Sequence, residues 1–278
     1  MTTARFAPSP SGRLHLGHAY SAVVGRGAGM QFLLRIEDLD AGRCKPEFVD
    51  GIYEDLTWLG IAWDGEPMVQ SARVGAYDAA LENLRARGLV YPCFCTRADI
   101  AASLTAPHGE AGAAYPGTCR DLPDDPARRA GTPHSWRLDC AKAVAVAGFP
   151  EWTERDGTRF EAKRGDLGDA ILARKDAPAA YHLACVVDDA ASGVTQVVRG
   201  ADLRPSTPTQ RLLQIVLDLP EPAYLHHPLV AHDDGRRLAK RDLAPTLAAM
   251  RAAGVDGPAL AKQLSAGRLP LEYRFIQA

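Results

Sequence analysis

Two short patterns in this sequence carry groups suited to handling a polyphosphate. The first is His15-Leu16-Gly17-His18, which precedes the apolar-periodic run Ala19, Tyr20, Ala22 and Val23. A helix N-terminus presents unpaired N–H groups and the positive end of its dipole to an anion, and two imidazoles beside it add hydrogen-bond donors. Gly17 lets a flat base approach the backbone closely. The second pattern is Arg236-Arg237-Leu238-Ala239-Lys240-Arg241, four cations in six residues after Gly235. Facing the helix terminus, Lys240 could hold the leaving phosphates of a nucleotide. Taken singly, each pattern has a plain explanation: a pair of loop histidines, and a solvated basic turn. The value of the two lies in their joint occurrence and order.

A third group is Cys93-Phe94-Cys95 followed by Tyr115 and Cys119. Thiolates two apart, with another after a loop, can hold Zn²⁺ tetrahedrally when a fourth ligand is supplied. The residues alone leave that ligand open among Tyr115, His108, His134 and Cys140, and buried unpaired cysteines are the alternative. The other cysteines, Cys44, Cys140 and Cys185, read as small core or surface residues. His182, His226, His227 and His232 are left without a role.

These groups need elements to hold them. Arg5 to Ala7 reads as the end of a short first strand, stopped by Pro8-Ser9-Pro10-Ser11-Gly12, where proline cannot donate to a sheet. A helix follows from near Gly17 to the Gly25–Gly29 region. Met30 to Ile36 is a continuous apolar run of the kind buried on both faces of a parallel sheet. Phe48, Ile52, Leu56 and Leu59 mark a helix over 46–59, with Pro46 in its first turn, and another covers 72–87. Strand, helix, strand, helix in this order predicts a βαβ unit and a parallel sheet. From Tyr91 to Pro178 short segments rich in Gly, Pro and Asp read as an insertion. Tyr181 to Val187 (YHLACVV) resumes the α/β pattern with Tyr181 as a half-buried strand aromatic, followed by an apolar run over 194–198 and a helix over 208–217. His226-His227-Pro228 reads as a loop, and a short helix lies near 258–264.

The 278 residues suit one large domain, or a nucleotide-binding domain carrying an insertion. With 46% hydrophobic and 24% charged residues, disorder is excluded. A net charge of −2 excludes a generally basic coat for nucleic acid, leaving room for a local basic groove. No apolar run approaches the roughly 20 residues that span a bilayer. The N-terminus lacks the apolar core of a signal peptide, so the expected location is the cytoplasm, with no membrane partner.

Together with Arg5–Gly12 (RFAPSPSG), Arg35–Asp40 (RIEDLD) and Val197–Leu203 (VVRGADL), the two phosphate patterns make this chain resemble the class I glutamyl-tRNA synthetase family, over 5–242. The resemblance implies an α/β fold: a Rossmann-like parallel sheet with a zinc-containing insertion subdomain and a short C-terminal helical region. It implies a first catalytic half over 1–90, an RNA-facing, zinc-binding insertion over 91–178, a second catalytic half over 179–228, and over 229–278 the basic ATP loop with a truncated stem-contact region. ATP, with Mg²⁺, is expected at His15, Gly17, His18, Arg237 and Lys240, of which His15, His18 and Lys240 are catalytic. Arg237 and Ala239 stand where the family usually has Lys and Ser, so a hydroxyl is lost while the cation count is kept.

Glutamate, activated as its adenylate, needs an anion for its ammonium and cations for its carboxylates. Glu37, at a strand end facing the crevice, is the expected ammonium ligand. Arg5 and Arg199 are the expected carboxylate partners, with Arg199 reading the side chain in preference to a surface ion pair with Asp202. Tyr181 and Ser9 match substrate-contacting positions of the family. The resemblance sharpens to a queuosine-directed branch whose zinc ligands follow Cys-x-Cys…Tyr-x₃-Cys, matched by Cys93, Cys95, Tyr115 and Cys119. One structural Zn²⁺ pinning the insertion is implied.

Only 37 residues follow Arg241, too few for an anticodon-binding domain of a full-length family member. The expected acceptor is therefore the queuosine base in the anticodon of tRNA(Asp), bound by a monomer with Arg120, Arg128, Arg129, Arg155, Lys163 and Arg164 as candidate RNA contacts. A catalytically impaired tRNA-binding paralogue, and a glutamate-activating ligase with another acceptor, are the competing readings.

Overall fold

The computed structural model of the chain describes residues 1–96, 98–99, 115–123, 125–236, 238 and 245–277. Its centre is a five-stranded sheet in the order β10-β9-β1-β2-β3, with every neighbouring pair parallel. These strands are β1 (Thr3–Phe6), β2 (Gln31–Ile36), β3 (Met68–Val69), β9 (Gln196–Gly200) and β10 (Ala223–His227). The crossovers are helical: α1 (Leu16–Ala28) joins β1 to β2, α2 (Pro46–Trp58) lies between β2 and β3, and α7 (Thr207–Val216) joins β9 to β10. Burial of Leu16, Ala19, Tyr20, Ala22 and Val23 turns one face of α1 onto the sheet. Gly29 is required where α1 turns into β2, because a Cβ there would lie 2.6 Å from the Gln31 carbonyl oxygen and 2.9 Å from the Ala4 nitrogen.

From β3 the chain runs through α3 (Val74–Ala86) into a separate three-stranded sheet, β4 (Val90–Cys93), β5 (Ser135–Leu138) and β8 (Ile171–Ala173). Around it lie α4 (Pro126–Gly131) and α5 (Cys140–Ala147). A hairpin within the same stretch, β6 (Glu151–Thr153) and β7 (Arg159–Glu161), leaves this sheet and docks on the edge of the central one. There Glu154 forms a parallel bridge with Tyr224, and the Arg155 N–H donates to the Tyr224 carbonyl at 2.7 Å. The C-terminal part contains β11 (Leu229–His232), α8 (Leu247–Ala252), α9 (Gly257–Ser265) and β12 (Tyr273–Ile276), with β12 antiparallel to β11. The largest core lies between α1, α2, α9 and the central sheet. No described helix is long and apolar enough to cross a membrane.

Two sequence expectations are corrected. Residues 181–187 are not a strand: they begin helix α6 (Tyr181–Ala191), whose inward face buries Leu183, Ala184, Cys185 and Val186. A short, continuous apolar run reads alike for a buried strand and a buried helix; here the pattern continues through Asp188 and Asp189, both buried. His226 and His227 are not loop residues but close β10, paired with Arg199 and Gly200 of β9.

Candidate active site

The chain leaves β1 in one direction toward β2 and β3, and returns on the other side of β1 as β9 and β10. The gap beyond the C-terminal ends of β1 and β9 is therefore a topological switch point, the place where open α/β sheets form a crevice. A cavity of 390 Å³ opens there, lined by Arg5, Ser9, His18, Glu37, Tyr181 and Arg199 among others. All five residues expected to hold glutamate thus share one cavity. A neighbouring cavity of 290 Å³ is lined by His15, Gly17 and His18, with Leu238 and Asp202. The two share His18, Ser21, Gly200 and Leu203.

The sequence writes the His15–His18 end locally. His15 caps α1: its Nδ1 accepts from the Gly17 N–H at 3.1 Å, while His18 Nδ1 accepts from the His15 N–H at 3.2 Å. Two imidazoles thus form the reciprocal capping box usually built from hydroxyl and carboxylate residues. Because a backbone N–H can only donate, Nδ1 is the bare nitrogen of each neutral ring and Nε2 carries the proton. The ring centroids lie 3.9 Å apart, and a Cβ on residue 17 would approach His15 Cε1 to 3.0 Å.

Arg237 and Lys240 lie outside the described residues, but the chain on either side of them is placed. Leu238 lines the 290 Å³ cavity and packs on the main core. Thr246 bridges to His15, and the Leu247 N–H donates to the Leu14 carbonyl at 2.9 Å.

The Arg5–Arg199 end is built from buried charge. Arg5 Nε and Arg35 Nη1 both reach Asp189 Oδ1, at 2.9 and 2.5 Å. Arg35 Nη2 donates to Glu37 Oε1 at 3.0 Å. Burial alone would raise the Asp189 carboxyl, yet Arg5 and Arg35 hold it far below the usual carboxylate range. Burial pushes the Glu37 carboxyl up, with Arg35 pulling it down, so an incoming ammonium would favour its anion. Burial, followed by the Asp189 charge, pushes the Cys185 thiol to about 11, so it stays a neutral neighbour of these charges.

Arg199 is 5% exposed, which removes the surface ion-pair reading. Its Nη1 donates to Gln210 Oε1 at 2.6 Å and to the Tyr181 hydroxyl at 3.3 Å, and its Nη2 donates to Thr207 Oγ1 at 2.7 Å. Its Nε donates to His226 Nε2 at 3.1 Å. Because Nε2 accepts, the proton of neutral His226 sits on Nδ1 and is donated to Glu154 Oε1 at 2.7 Å. Glu154 thus orients Arg199 from the β6–β7 hairpin, through one imidazole.

Asp189, Glu154, His226, Thr207 and Gln210 were missed in the sequence. Their partners lie 184 positions away for Arg5–Asp189 and 72 for His226–Glu154. The only local sign was a pair of acidic residues, Asp188 and Asp189, continuing an apolar run.

In the insertion, Cys93, Cys95 and Cys119 place their Sγ atoms within 4.8 Å of one another. The Tyr115 hydroxyl lies 3.4 Å from Cys93 Sγ and 3.6 Å from Cys95 Sγ. Ligands of a tetrahedral site with metal–sulfur bonds of about 2.3 Å stand a little under 4 Å apart, so this cluster can hold a metal ion. Of the other candidate fourth ligands, His134 is half-buried and bonded to the Thr132 carbonyl, Cys140 lies beside Asp169, and His108 is outside the described residues. The Arg137 guanidinium lies 3.8 Å above the Tyr115 ring.

The candidate RNA contacts divide. Arg120 is committed to Asp169 at 2.6 Å, and Arg128 and Arg129 lie over the rings of Phe94 and Trp136. Arg155, Lys163 and Arg164 are exposed around the hairpin and the turn after it.

Residues 1–266 match the family model described as tRNA synthetases class I (E and Q), catalytic domain. A protein of Rhodobacter capsulatus named glutamyl-Q tRNA(Asp) synthetase is 45% identical, the match covering 91% of this chain and 95% of that one. A Nocardia farcinica protein of the same name is 49% identical over 90% of this chain and 79% of its own. Among solved structures, a glutamate-tRNA synthetase from Elizabethkingia anophelis superimposes with a TM-score of 0.78 at 25% identity, covering 95% of this chain. The present chain spans 61% of that longer one.

Proposed function

The chain belongs to the class I tRNA synthetases of the glutamate and glutamine type, and on that premise we propose that it activates L-glutamate with ATP and transfers it to the queuosine base in the anticodon of tRNA(Asp). The observation that carries this reading is the switch-point crevice, where Arg5, Ser9, Glu37, Tyr181 and Arg199 share one cavity that meets the His15–His18 cavity at Gly200. The names of the relatives at 45% and 49% identity supply the acceptor.

In the activation step, an oxygen of the glutamate α-carboxylate attacks the α-phosphorus, the bond from that phosphorus to the bridging oxygen breaks, and pyrophosphate leaves. Little covalent work falls to the protein, so orientation and charge stabilisation dominate. The Nε2–H groups of His15 and His18 donate to phosphate oxygens at the α1 mouth, and Lys240, with Arg237, holds the departing pyrophosphate. Mg²⁺ bound with ATP supplies further neutralisation of phosphate charge. Glu37 receives the substrate ammonium. Arg199, oriented by Glu154 through His226 and facing Tyr181, reads the side-chain carboxylate, and Arg5 supplies positive potential from the β1 end. In transfer, a hydroxyl oxygen of the modified base bonds to the carbonyl carbon, the carbonyl–phosphate bond breaks, and AMP leaves with the hydroxyl proton passing to its phosphate.

We assign the metal of the insertion as one structural Zn²⁺ held by Cys93, Cys95, Tyr115 and Cys119. Metal analysis of the purified chain is expected to find about one zinc per chain, and Cys95→Ser to lower it.

Glutamate labelling of tRNA(Asp) with and without queuosine tests the acceptor. Label on the modified tRNA alone is expected, and equal labelling of both would remove the modified base as acceptor. Such chemistry belongs to the cytoplasm, where tRNA and ATP are found.

A further inference from the structure

A further cavity beside the nucleotide cavity has no part in the proposed binding of ATP or glutamate. It measures 920 Å³ and lies between the β6–β7 hairpin and the turn Ala201–Ser206 that follows β9. Its flat groups are arranged as a shelf: Trp152 and Phe160 stack with centroids 5.4 Å apart and planes 13° from parallel, and the Arg204 guanidinium lies 5.3 Å from the Phe160 ring. Trp152 is 6% exposed, and its indole Nε1–H meets no acceptor among the described residues. A buried donor without a partner is costly unless a ligand supplies the acceptor. The exposed carboxylates Glu161 and Asp166 line the same cavity. Asp202 and Leu229 line both this cavity and the nucleotide cavity, so the two are adjacent.

An aromatic and guanidinium shelf suits a nucleobase, because every base offers a π-face. A free adenine needs no carboxylates beside it, and a phosphate would be repelled by them. What fits the shelf and the carboxylates together is a flat bicyclic base carrying a protonated amine and presented on single-stranded RNA. We infer that this cavity seats the acceptor nucleobase, with the ring against the Phe160–Arg204 shelf and the cationic amine facing Glu161 and Asp166. The inference rests on the reading above, since queuosine is a deazaguanine bicycle whose amine links it to the hydroxyl-bearing ring. Seated this way, that ring extends past Asp202 toward the seam at Gly200 where the adenylate carbonyl forms.

The test separates activation from transfer. Phe160→Ala, Phe160→Trp and Glu161→Gln are compared with the parent chain in glutamate-dependent ATP–pyrophosphate exchange without RNA, and in glutamate transfer to queuosine-bearing tRNA(Asp). Exchange within about twofold of the parent shows that each variant is folded and activates glutamate. Phe160→Ala is then expected to raise the KM for the tRNA by about tenfold or more, the usual worth of one base–aromatic stack, while Phe160→Trp stays near the parent. Glu161→Gln is expected to raise it several-fold. An unchanged tRNA KM in both Phe160→Ala and Glu161→Gln overturns the site. A loss in Phe160→Ala alone overturns the cation assignment. Failure of the parent chain itself to transfer would overturn the functional reading instead, and so is distinguishable.

Discussion

The two ends of the crevice are built on opposite principles. At the glutamate end, Arg5, Arg35, Asp189 and Arg199 are 2–6% exposed and are held by one another or by Thr207, Gln210 and His226. At the nucleotide end, His15, Gly17 and His18 are half-buried, and two backbone-to-imidazole bonds set the geometry. The first is an arrangement of charges fixed in place before substrate arrives, and it can discriminate by leaving buried groups unpaired when the wrong amino acid enters. The second, on the proposed assignment, uses the helix terminus and its imidazoles, a feature suited to any polyphosphate. On that assignment specificity is concentrated where charge is buried, and general phosphate affinity at the helix mouth.

The sharpest way to break this contrast is Asp189→Asn. It leaves Arg5 and Arg35 without their shared counter-ion in a buried site, and breaking such a pair costs about 3–5 kcal/mol. A fall in the urea midpoint together with loss of glutamate activation is expected, and an unchanged midpoint would mean that the network is not held by its ion pairs. Arg199→Ala comes next. Removing a buried guanidinium that reads a carboxylate is expected to raise the glutamate KM on the order of 100-fold, about 2.7 kcal/mol. The ATP KM should stay near the parent value, and steady-state exchange checks both.

Gly17→Ala acts at the other end. Its Cβ would press on the His15 ring at 3.0 Å, tilting the imidazole assigned above to the phosphates. The ATP KM is expected to rise about tenfold, on the order of 1.4 kcal/mol, with glutamate KM unchanged. If both constants move together, the two ends are not separable.

The smallest effect concerns a carboxylate belonging to neither end. Asp55 on α2 is fully buried, and burial, opposed by Arg251 and Arg13, pushes its carboxyl from 3.8 up to about 6. The folded state therefore holds this proton more tightly than the unfolded chain. The group favours folding most at low pH, and that advantage is lost as the pH rises from about 4 through 6. Asp55→Asn is expected to raise the Tm at pH 8 by about 2–4 °C, roughly 1 kcal/mol for a domain of this size. The difference should vanish near pH 4, and a constant difference across this range would show that its titration has no part in stability.

The legible parts of the molecule are those whose cause is local. The α1 start at His15–His18, the Pro46 start of α2 and the apolar strand β2 follow from neighbours in sequence, and so does the approach of Cys93 to Cys95. The opposing wall is illegible for the same reason. YHLACVV carries no mark separating a buried strand from a buried helix, and only its packing across α3 and α7 decides. Asp189, His226 and Glu154 become meaningful only when folding brings them to Arg5 and Arg199. The docking of the β6–β7 hairpin on the central sheet, which supplies Glu154, likewise depends on a pairing with Tyr224 that no local pattern announces.

The most direct test of the central claim is glutamate-dependent ATP–pyrophosphate exchange in the absence of RNA, run in parallel with aspartate and with glutamine. The crevice described here, with Glu37 and Arg199 set for a dicarboxylic amino acid, predicts exchange with glutamate and little with either alternative. No exchange with glutamate at high enzyme concentration, or equal exchange with glutamine, would contradict it.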